Sequence, residues 1–358
     1  MTVFKVMNWN VENLFLPDPS KPESQQEFQD KLAKLAAVID DEQPDVLALQ
    51  EVGPNGALEA LQQALTHSMP HSAEGNPEAG GEPSRAIRVA ILSTKPLSAI
   101  RTISPFPDLI RPVQQKDPVF DKPGTTADES LLAAMGRSAL EVVVEVDGTE
   151  VTVITAHFKS KLISYPRVKG VVAGSRFNPN DEDERYRYAA YALYRRTGEA
   201  LTIRDRLNAI LSSGTGEPDP DDGLGREKAV VFCGDLNDQP DAATTQIIQG
   251  PTGSELGTAA FRTGDNGDGY RMWNLAPRLN ITPEGKPPTK PPYTRVFKGR
   301  GELIDHIFAS HRLVNPENIP EVRTVLAMDR LPSVNEIPTE RKSDPASDHA
   351  AVVATFNL

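Results

Sequence analysis

Acidic, amide and histidine side chains occur in short clusters beside apolar segments at six places along the chain. Buried strands bring their ends to one rim of a sheet sandwich, so we expect these side chains to converge there. Carboxylate and amide oxygens without thiolates suit a hard cation such as Mg²⁺ or Mn²⁺, which would also relieve repulsion among crowded carboxylates. Neighbouring histidines could donate to phosphate oxygens and transfer protons. The clusters are Asn10-Val11-Glu12, Gln50-Glu51, Thr155-Ala156-His157, Gly234-Asp235-Leu236-Asn237, Ile304-Asp305-His306 and Ser347-Asp348-His349.

Taken singly, each cluster also has a structural explanation. Asn10-Val11-Glu12 is typical of a cap or turn, and Gln50-Glu51 is typical of a solvated strand end. The Gly234–Asn237 segment has the residue types that turns favour. Asp305-His306 and Asp348-His349 could each be a hydrogen-bonded pair with a structural role. The coincidence of six clusters in one order is what favours a shared site.

The hydrophobic pattern predicts strands interleaved with helices. Ser24 is the predicted N-cap of the first helix, which Pro44 follows. Adjacent strands also form hairpins, the strongest of them around Asp147-Gly148, which favours packed sheets with helices outside over a purely parallel sheet. The predicted strands cover 3–9, 45–51, 86–93, 98–104, 138–146, 150–155, 228–233, 304–309 and 350–356, and the predicted helices cover 25–41, 56–66 and 181–211.

We expect a single domain over residues 1–358 with no internal repeats. Three long loop insertions are predicted near 105–137, 160–180 and 251–300, where prolines are frequent or periodicity is weak. Loops of that length inside a compact domain are usually functional or disordered. A shorter loop is predicted over residues 70–84.

Composition limits the class of protein. With 38 basic and 50 acidic residues the net charge is −12, which disfavours a protein that coats nucleic acid by bulk electrostatics. The one cysteine, Cys233, excludes an intramolecular disulfide framework and a cysteine zinc site. No segment approaches the ~18 apolar residues of a membrane span, and the first residues do not resemble a secretory signal. We therefore expect a cytoplasmic monomer without a membrane span or an obligate protein partner.

Seven segments, in the order in which they occur, resemble the endonuclease/exonuclease/phosphatase superfamily, which includes deoxyribonuclease-like enzymes and abasic-site endonucleases. They are Asn8-Trp9-Asn10-Val11-Glu12-Asn13, Leu49-Gln50-Glu51-Val52, Ala90-Ile91-Leu92-Ser93, Thr155-Ala156-His157-Phe158, Gly234-Asp235-Leu236-Asn237, Leu303-Ile304-Asp305-His306-Ile307 and Ser347-Asp348-His349. The resemblance implies an α+β fold, a four-layer α/β/β/α sandwich. In such a fold two packed, mainly antiparallel mixed β-sheets are flanked by helices, with a divalent metal site at one end.

The resemblance also implies the metal ligands. The matched glutamate, Glu51, is the main ligand of Mg²⁺ or Mn²⁺, and Asn10 assists it. Glu12 is a secondary ligand, because its position is acidic in some branches of the superfamily and not in others. Asp348 is a further ligand on the metal side of the site.

The catalytic roles follow from the same resemblance. Asp235 is the candidate base that activates the attacking water, and Asn237 contacts the phosphate or that water. His349 donates to the phosphate and is steered by Asp305, while His157 donates to the non-bridging oxygen or to the leaving group. Together these residues imply hydrolysis of a phosphoric ester.

A basic stretch follows His157. Residues 157–176 contain no acidic residue, and Lys159, Lys161 and Arg176 are candidate contacts to a nucleic-acid backbone. An ordinary solvated loop would have the same composition. The stretch and the arginine-bearing helix after it resemble a bacterial nuclease branch of the superfamily. Tyrosines at helical spacing in that helix could stack on bases or pack against a sheet.

Three functions stay open at this point. The favoured one is a metal-dependent phosphodiesterase, most simply a nuclease that cleaves DNA or RNA. The alternative is a phosphatase or phospholipase-type enzyme of the same fold acting on a small phosphate ester or lipid headgroup. Against an inositol phosphatase, His306 follows Asp305 where that branch has arginine. A non-catalytic module is disfavoured because no expected metal or phosphate group is missing.

Overall fold

The computed structural model describes most of the chain. The described residues are 2–77, 86–113, 133–162, 182–212, 224–252, 268–280, 292–314, 320–325, 331–337, 339, 341 and 344–358.

The described strands agree with the predicted ones in most places. They are β1 (Val3–Leu14), β2 (Val46–Val52), β3 (His71–Glu74), β4 (Arg88–Ser93), β5 (Leu97–Pro105), β6 (Ala134–Val146), β7 (Thr149–His157), β8 (Ala229–Asp235), β9 (Met272–Asn274), β10 (Arg295–Phe297), β11 (Arg300–Glu302), β12 (Asp305–Ser310), β13 (Glu321–Val325) and β14 (Ala351–Asn357). The described α-helices are α1 (Pro22–Glu42), α2 (Ala57–Ala64), α3 (Glu182–Leu211), α4 (Ala243–Gln249) and the single turn α5 (His311–Val314).

Two six-stranded sheets form the centre of the molecule. The first has the order β13-β14-β1-β2-β4-β3 and the second has the order β5-β6-β7-β8-β12-β9. In the first sheet β1 pairs with β2 in parallel, and in the second β7 pairs with β8 in parallel; the other pairs are antiparallel. The predicted pair of mainly antiparallel mixed sheets is therefore confirmed.

Apolar side chains fill three spaces between layers. The cluster between the sheets includes Phe4, Val46, Ile91, Val142, Val231 and Ile307. Alternate residues of β2, Leu47 and Leu49, face the other way and join a cluster with α1 and α2. On the second sheet, Ile154 and Phe232 join a cluster with α3. Burying each large apolar side chain contributes about 1.5–3 kcal/mol, which explains the four-layer arrangement.

Helix α1 begins before its predicted cap. Pro22 occupies its first turn, where the fixed φ of proline suits a helix start. The hydroxyl of Ser24 lies inside the helix and donates to the carbonyls of Asp18 and Lys21, at 3.0 and 2.7 Å, so the predicted N-cap was wrong. At the other end, Gln43 adopts a left-handed φ of 49° and its N–H donates to the Ile39 carbonyl.

Parts of the predicted loops are strands. Strand β6 begins at Ala134, inside the loop predicted over 105–137, and β3 lies inside the loop predicted over 70–84. The region 251–300 contains β9 and most of the β10–β11 hairpin. These strands are short or begin with small and polar residues, so they lack the apolar alternation that identifies a strand. Residues 163–181, which include most of the insertion near 160–180, lie outside the described residues.

No helix among the described residues is long and apolar enough to cross a membrane.

Candidate active site

The polar clusters meet at one rim of the two sheets. Asn10 and Gln50 are register partners on β1 and β2. In the second sheet Asp235 at the end of β8 is opposite both His157 on β7 and Asp305 on β12. His349 lies between the ends of both sheets, because its ring contacts Asp305 and its backbone precedes β14.

Several residues of the rim adopt a left-handed backbone. The φ angles of Glu12, Glu51 and Asn237 are 46°, 63° and 54°. This region is unfavourable for residues other than glycine, and such strain concentrates at functional sites. The β1–β2 register is irregular between Asn10 and Leu14, where Glu12 lies. The regular pairing of β1 with β2 therefore ends where the site begins.

The Asn10 amide joins the two sheets. Its Nδ2 donates to Glu51 Oε1 at 3.1 Å and to Asp235 Oδ2 at 2.9 Å. Strand β8 approaches β7 closely at Gly234, because glycine has no Cβ. A Cβ atom at this position would lie 2.0 Å from the Ala156 carbonyl oxygen. The close approach leaves His157 Nε2 3.5 Å from Asp235 Oδ2.

Asp235, Asp305 and His349 form what we call the buried triad. His349 Nδ1 lies 2.8 Å from Asp305 Oδ2, and its Nε2 lies 3.9 Å from Asp235 Oδ2. Burial alone would lower the pKa of His349, but the charge and hydrogen bond of Asp305 raise it to about 10. A pKa of about 10 makes His349 an imidazolium at neutral pH, with Nδ1 donating to Asp305 and the Nε2 proton left available to a ligand.

Asp235 has a pKa suited to proton transfer. Burial and the neighbouring charge of Asp305 raise it to about 7, although His349 and the hydrogen bonds to Asp235 oppose this. Its Oδ1 accepts the backbone N–H of Asn237 at 2.9 Å. The Asn237 side chain is itself held, because its Nδ2 donates to the Phe158 carbonyl at 3.1 Å.

His157 is neutral. Burial, and then the charge of Arg137, hold its pKa well below the usual range. Arg137 donates from Nε and Nη2 to the His157 carbonyl at 3.3 and 3.2 Å, which fixes the backbone that carries the ring. The Nδ1 atom of His157 is buried and has no hydrogen-bond partner among the described residues.

Glu12, Glu51 and Asp348 form what we call the outer cluster, which is more exposed than the buried triad. The backbone N–H of Asp348 donates to Glu12 Oε2 at 2.9 Å. Burial and the charge of Asp348 raise the pKa of Glu12. Burial also acts to raise the pKa of Asp348, but His349, Arg295 and nearby cations lower it overall.

Two arginines that the sequence did not single out contact the outer cluster. Arg341 donates to Glu12 and lies 3.7 Å from Asp348, while Arg295 Nη2 lies 3.1 Å from Asp348 Oδ2. Burial acts to lower the pKa of Arg295, but four surrounding carboxylates, led by Asp348, raise it overall. Neither arginine lies beside an apolar run, so the pattern that identified the other site residues carries no signal for them.

The oxygen donors fit a hard divalent cation. Glu51, Asp235 and Asp348 supply carboxylates and Asn10 an amide, with no sulfur ligand among them. The atoms of the buried triad lie within 4.8 Å of one another, and this group could hold a metal ion. Within this group, His349 Nδ1 is engaged by Asp305. The carboxylates of the outer cluster are more exposed than the triad and offer further oxygen ligands that an ion could reach from solvent.

Three residues were predicted to contact the substrate, and the two that the structure describes already have partners in the protein. Lys161 Nζ lies 3.4 Å from Glu302 and 4.0 Å from Asp238, so carboxylates outside the rim already pair with its charge. The Lys159 backbone N–H donates to Glu199, and its ammonium lies against Ser160. Arg176 lies outside the described residues.

The fold also determines the contacts of His306 and the exposure of the tyrosines in α3. Asp305 pairs with His349 and not with its neighbour His306, because adjacent strand residues point to opposite faces. The Nε2 of His306 instead lies 2.8 Å from the Asp238 carbonyl oxygen. In α3, Tyr191 is 2% exposed and packs in the core, whereas Tyr186 and Tyr194 are exposed.

Comparison with known proteins identifies relatives of this architecture. A model of the endonuclease/exonuclease/phosphatase family matches residues 7–349. No curated protein matches the chain in sequence.

Three solved structures illustrate the shared fold. D. rerio TDP2 complexed with single strand DNA product is 16% identical with a TM-score of 0.52, covering 100% of this chain and 100% of that chain. The human Nocturnin catalytic domain with bound sulfate is 14% identical with a TM-score of 0.53, covering 99% and 94%. An endonuclease/exonuclease/phosphatase from Beutenbergia cavernae is 17% identical with a TM-score of 0.50, covering 99% and 72%. At these identities the likeness shows the fold alone.

Proposed function

Because the chain belongs to the endonuclease/exonuclease/phosphatase family, and is thus a hydrolase of phosphoric esters, we propose that it is a divalent-metal-dependent phosphodiesterase that cleaves DNA or RNA. The observation that carries the proposal is the junction at Asn10. This amide joins a carboxylate of the outer cluster to a carboxylate of the buried triad, at 3.1 and 2.9 Å. The proposed cation site and the proposed proton acceptor would thus lie side by side, as metal-assisted attack of water on phosphorus requires.

The residues divide the chemistry between them. Glu51, Asn10 and Asp348, with Glu12 beside them, would hold Mg²⁺ or Mn²⁺, which supplies Lewis acidity and charge neutralisation when bound. Asp235 would take the proton of the attacking water, since its pKa of about 7 suits a base at neutral pH.

The two histidines would contact the phosphoryl group from different sides. His349 is protonated and held by Asp305, so its Nε2 would donate to a phosphoryl oxygen where negative charge develops. His157 is neutral and lies near Asp235, so it would contact the non-bridging oxygen or the leaving group. Asn237 would act mainly by orienting Asp235 through its backbone N–H.

A nucleic-acid substrate is supported by the single strand DNA product bound to D. rerio TDP2, a protein of the same fold. The substrate contacts of Lys159, Lys161 and Arg176 stay predictions. A small phosphate ester is the second candidate. It is favoured by a pocket of about 480 Å³ beside the outer cluster, a size typical of small-ligand sites. The charged residues that line this pocket are Glu12, Glu336, Asp344, Lys31 and Arg341. The cytoplasmic location and the monomeric state stay predictions.

Hydrolysis assays test the proposal directly. With Mg²⁺ or Mn²⁺, and with EDTA as control, we expect the protein to cleave plasmid DNA, single-stranded DNA or RNA, and bis-p-nitrophenyl phosphate. Loss of partners around a metal ligand costs about 10–100-fold in affinity, so Glu51→Gln should weaken Mn²⁺ binding by at least about 100-fold in calorimetry.

The exposed Glu59 on α2 provides the matched control, and Glu59→Gln should bind Mn²⁺ as the wild type does. Hydrolysis of monoesters alone would favour the second candidate. Absence of any phosphoric-ester hydrolysis, or undiminished Mn²⁺ affinity in Glu51→Gln, would contradict the proposed mechanism.

A further inference from the structure

Arg295 is anchored at the junction of the outer cluster and the buried triad. It begins β10, and it also forms an isolated antiparallel bridge with His349. The preceding Thr294 ties the same segment to the sheet ends. Its carbonyl accepts the N–H of Ala350 at 2.7 Å, and its hydroxyl oxygen accepts the N–H of Asp305 at 3.3 Å. The backbone of Arg295 is therefore fixed relative to both groups.

The guanidinium has unused hydrogen-bonding capacity. Its ion-pair partner among the described residues is Asp348, at 3.1 Å from Nη2, and its buried Nε has no partner among them. The side chain is 30% exposed, so it can reach a ligand that enters from solvent. Arginine carries five donors in a planar fork, which matches two oxygens of a phosphate.

The other cations near the site are occupied more fully. Lys161 lies near two carboxylates outside the rim, Arg341 pairs with both Glu12 and Asp348, and Lys31 donates to two backbone carbonyls. Arg295 pairs with one carboxylate, Asp348, which is a candidate metal ligand. A divalent ion at the outer cluster would compete with Arg295 for Asp348, and a phosphate would offer Arg295 a replacement partner.

We propose that Arg295 is the phosphate-binding cation of this site and that it exchanges Asp348 for the substrate phosphate when metal and substrate bind. The assignment rests on the proposed phosphodiesterase function. Without substrate, the Arg295–Asp348 pair neutralises the outer cluster and opposes the metal. With substrate, Asp348 is released toward the cation, while the fork of Arg295 holds the phosphate opposite the imidazole donors.

The exchange makes two predictions of opposite sign for Arg295→Ala. Without substrate, Mn²⁺ affinity in calorimetry should increase about threefold or more, because a competing positive charge is lost. Inhibition by inorganic phosphate in the presence of Mg²⁺ should weaken, and kcat/KM for bis-p-nitrophenyl phosphate should fall, each by about 10–100-fold. Arg295→Lys keeps the charge without the fork, so its phosphate affinity should be intermediate.

Arg300 on β11 of the same hairpin is exposed, and Arg300→Ala is the matched control, expected to behave as the wild type in every measurement. Circular dichroism melting checks that each variant is folded. The assignment is overturned if the affinity of Arg295→Ala for Mn²⁺ is equal to or lower than that of the wild type. It is also overturned if the wild type is active and inorganic phosphate inhibits Arg295→Ala as strongly as it inhibits the wild type. A wild type that hydrolyses no phosphodiester overturns the proposed function and this assignment with it.

Discussion

The buried triad and the outer cluster are neighbouring sets of acidic residues that the protein treats differently. In the triad, the side chains of Asp235, Asp305 and His349 are 2%, 0% and 3% exposed. In the outer cluster, Glu12 and Glu51 are 30% and 19% exposed. The triad is neutralised by an imidazolium within it, whereas the outer cluster is neutralised by arginines from separate segments.

The difference indicates a division of labour. Charges in a low-dielectric interior interact strongly, so the triad shows large pKa shifts and a fixed hydrogen-bonded geometry. Such a group suits proton transfer and donation to developing charge. The outer cluster is held by ion pairs that solvent can reach, and those are weak enough to exchange. The proposed function, in which the site accepts and releases a cation and a phosphate, would depend on that property.

The largest expected effect is a loss of turnover in Asp305→Asn, with metal binding retained. Asp305→Asn keeps the shape of the side chain but removes the charge that holds His349 protonated. Removal of one preorganised donor costs about 10²–10³ in kcat, so we expect a loss of that size for bis-p-nitrophenyl phosphate. The affinity for Mn²⁺, measured by calorimetry, should stay close to that of the wild type.

Asp241, which is exposed and lies beyond the rim, provides the control variant Asp241→Asn. A parallel loss of Mn²⁺ affinity in Asp305→Asn would mean that the buried triad itself holds the metal. In that event the division between the two groups of acidic residues would be wrong.

Titration of the buried triad should make the unfolding free energy of the protein depend on pH. The pKa of His349 in the folded state, about 10, is above the ordinary value of about 6.5. A raised histidine pKa stabilises the fold fully below the unfolded pKa, and this contribution is lost as the pH rises toward the folded one. The difference in unfolding free energy between wild type and Asp305→Asn should therefore shrink from pH 6.5 to 10.

Urea denaturation in EDTA at pH 6.5, 8 and 9.5 measures this difference. Asp235 titrates in a lower window, because its folded pKa of about 7 is above the ordinary value of about 3.9 for aspartate. Its contribution is present below the unfolded value and lost as the pH rises through about 7, before most of the His349 window. A pH-independent difference between wild type and Asp305→Asn would show that Asp305 does not control His349.

The buried triad was far more predictable from the sequence than the cations around the outer cluster. Asp235 and Asp305 lie at ends of apolar strands, and the pairing of strand ends follows from the sheet architecture. Arg295 and Arg341 come from segments without apolar periodicity, and their contacts with Asp348 depend on the folding of distant loops. The periodicity of apolar residues predicts where strands end, but it does not predict which other segments contact those strand ends.

The same limit applies to Lys161. Local sequence predicted a phosphate contact for it because no acidic residue follows within the basic stretch. Its partners Glu302 and Asp238 come from β11 and from the segment after β8, which are distant along the chain. A run of one charge in the sequence therefore does not report the ion pairs that the tertiary structure forms.

The smallest predicted effect concerns a support behind the buried side of the site. Glu199 on α3 is 1% exposed, and its carboxylate accepts the backbone N–H of Gly136 at 3.0 Å and of Lys159 at 2.6 Å. These hydrogen bonds connect the start of β6 with the segment that follows His157. Glu199→Ala should lower the unfolding free energy by about 1–3 kcal/mol, because a buried and a partly buried backbone N–H lose their acceptor and Arg195 loses an ion-pair partner at 3.6 Å.

Glu182 on the same helix is exposed, and Glu182→Ala should leave stability nearly unchanged, since isolated surface ion pairs contribute little. Because Glu199 supports the His157 segment and not the outer cluster, its loss should lower kcat for bis-p-nitrophenyl phosphate while the Mn²⁺ affinity of the folded variant is retained. Urea denaturation, calorimetry and steady-state kinetics on the two variants separate these effects. A fall in Mn²⁺ affinity in Glu199→Ala, at temperatures where it is fully folded, would mean that the two halves of the site share one mechanical support and are not independent.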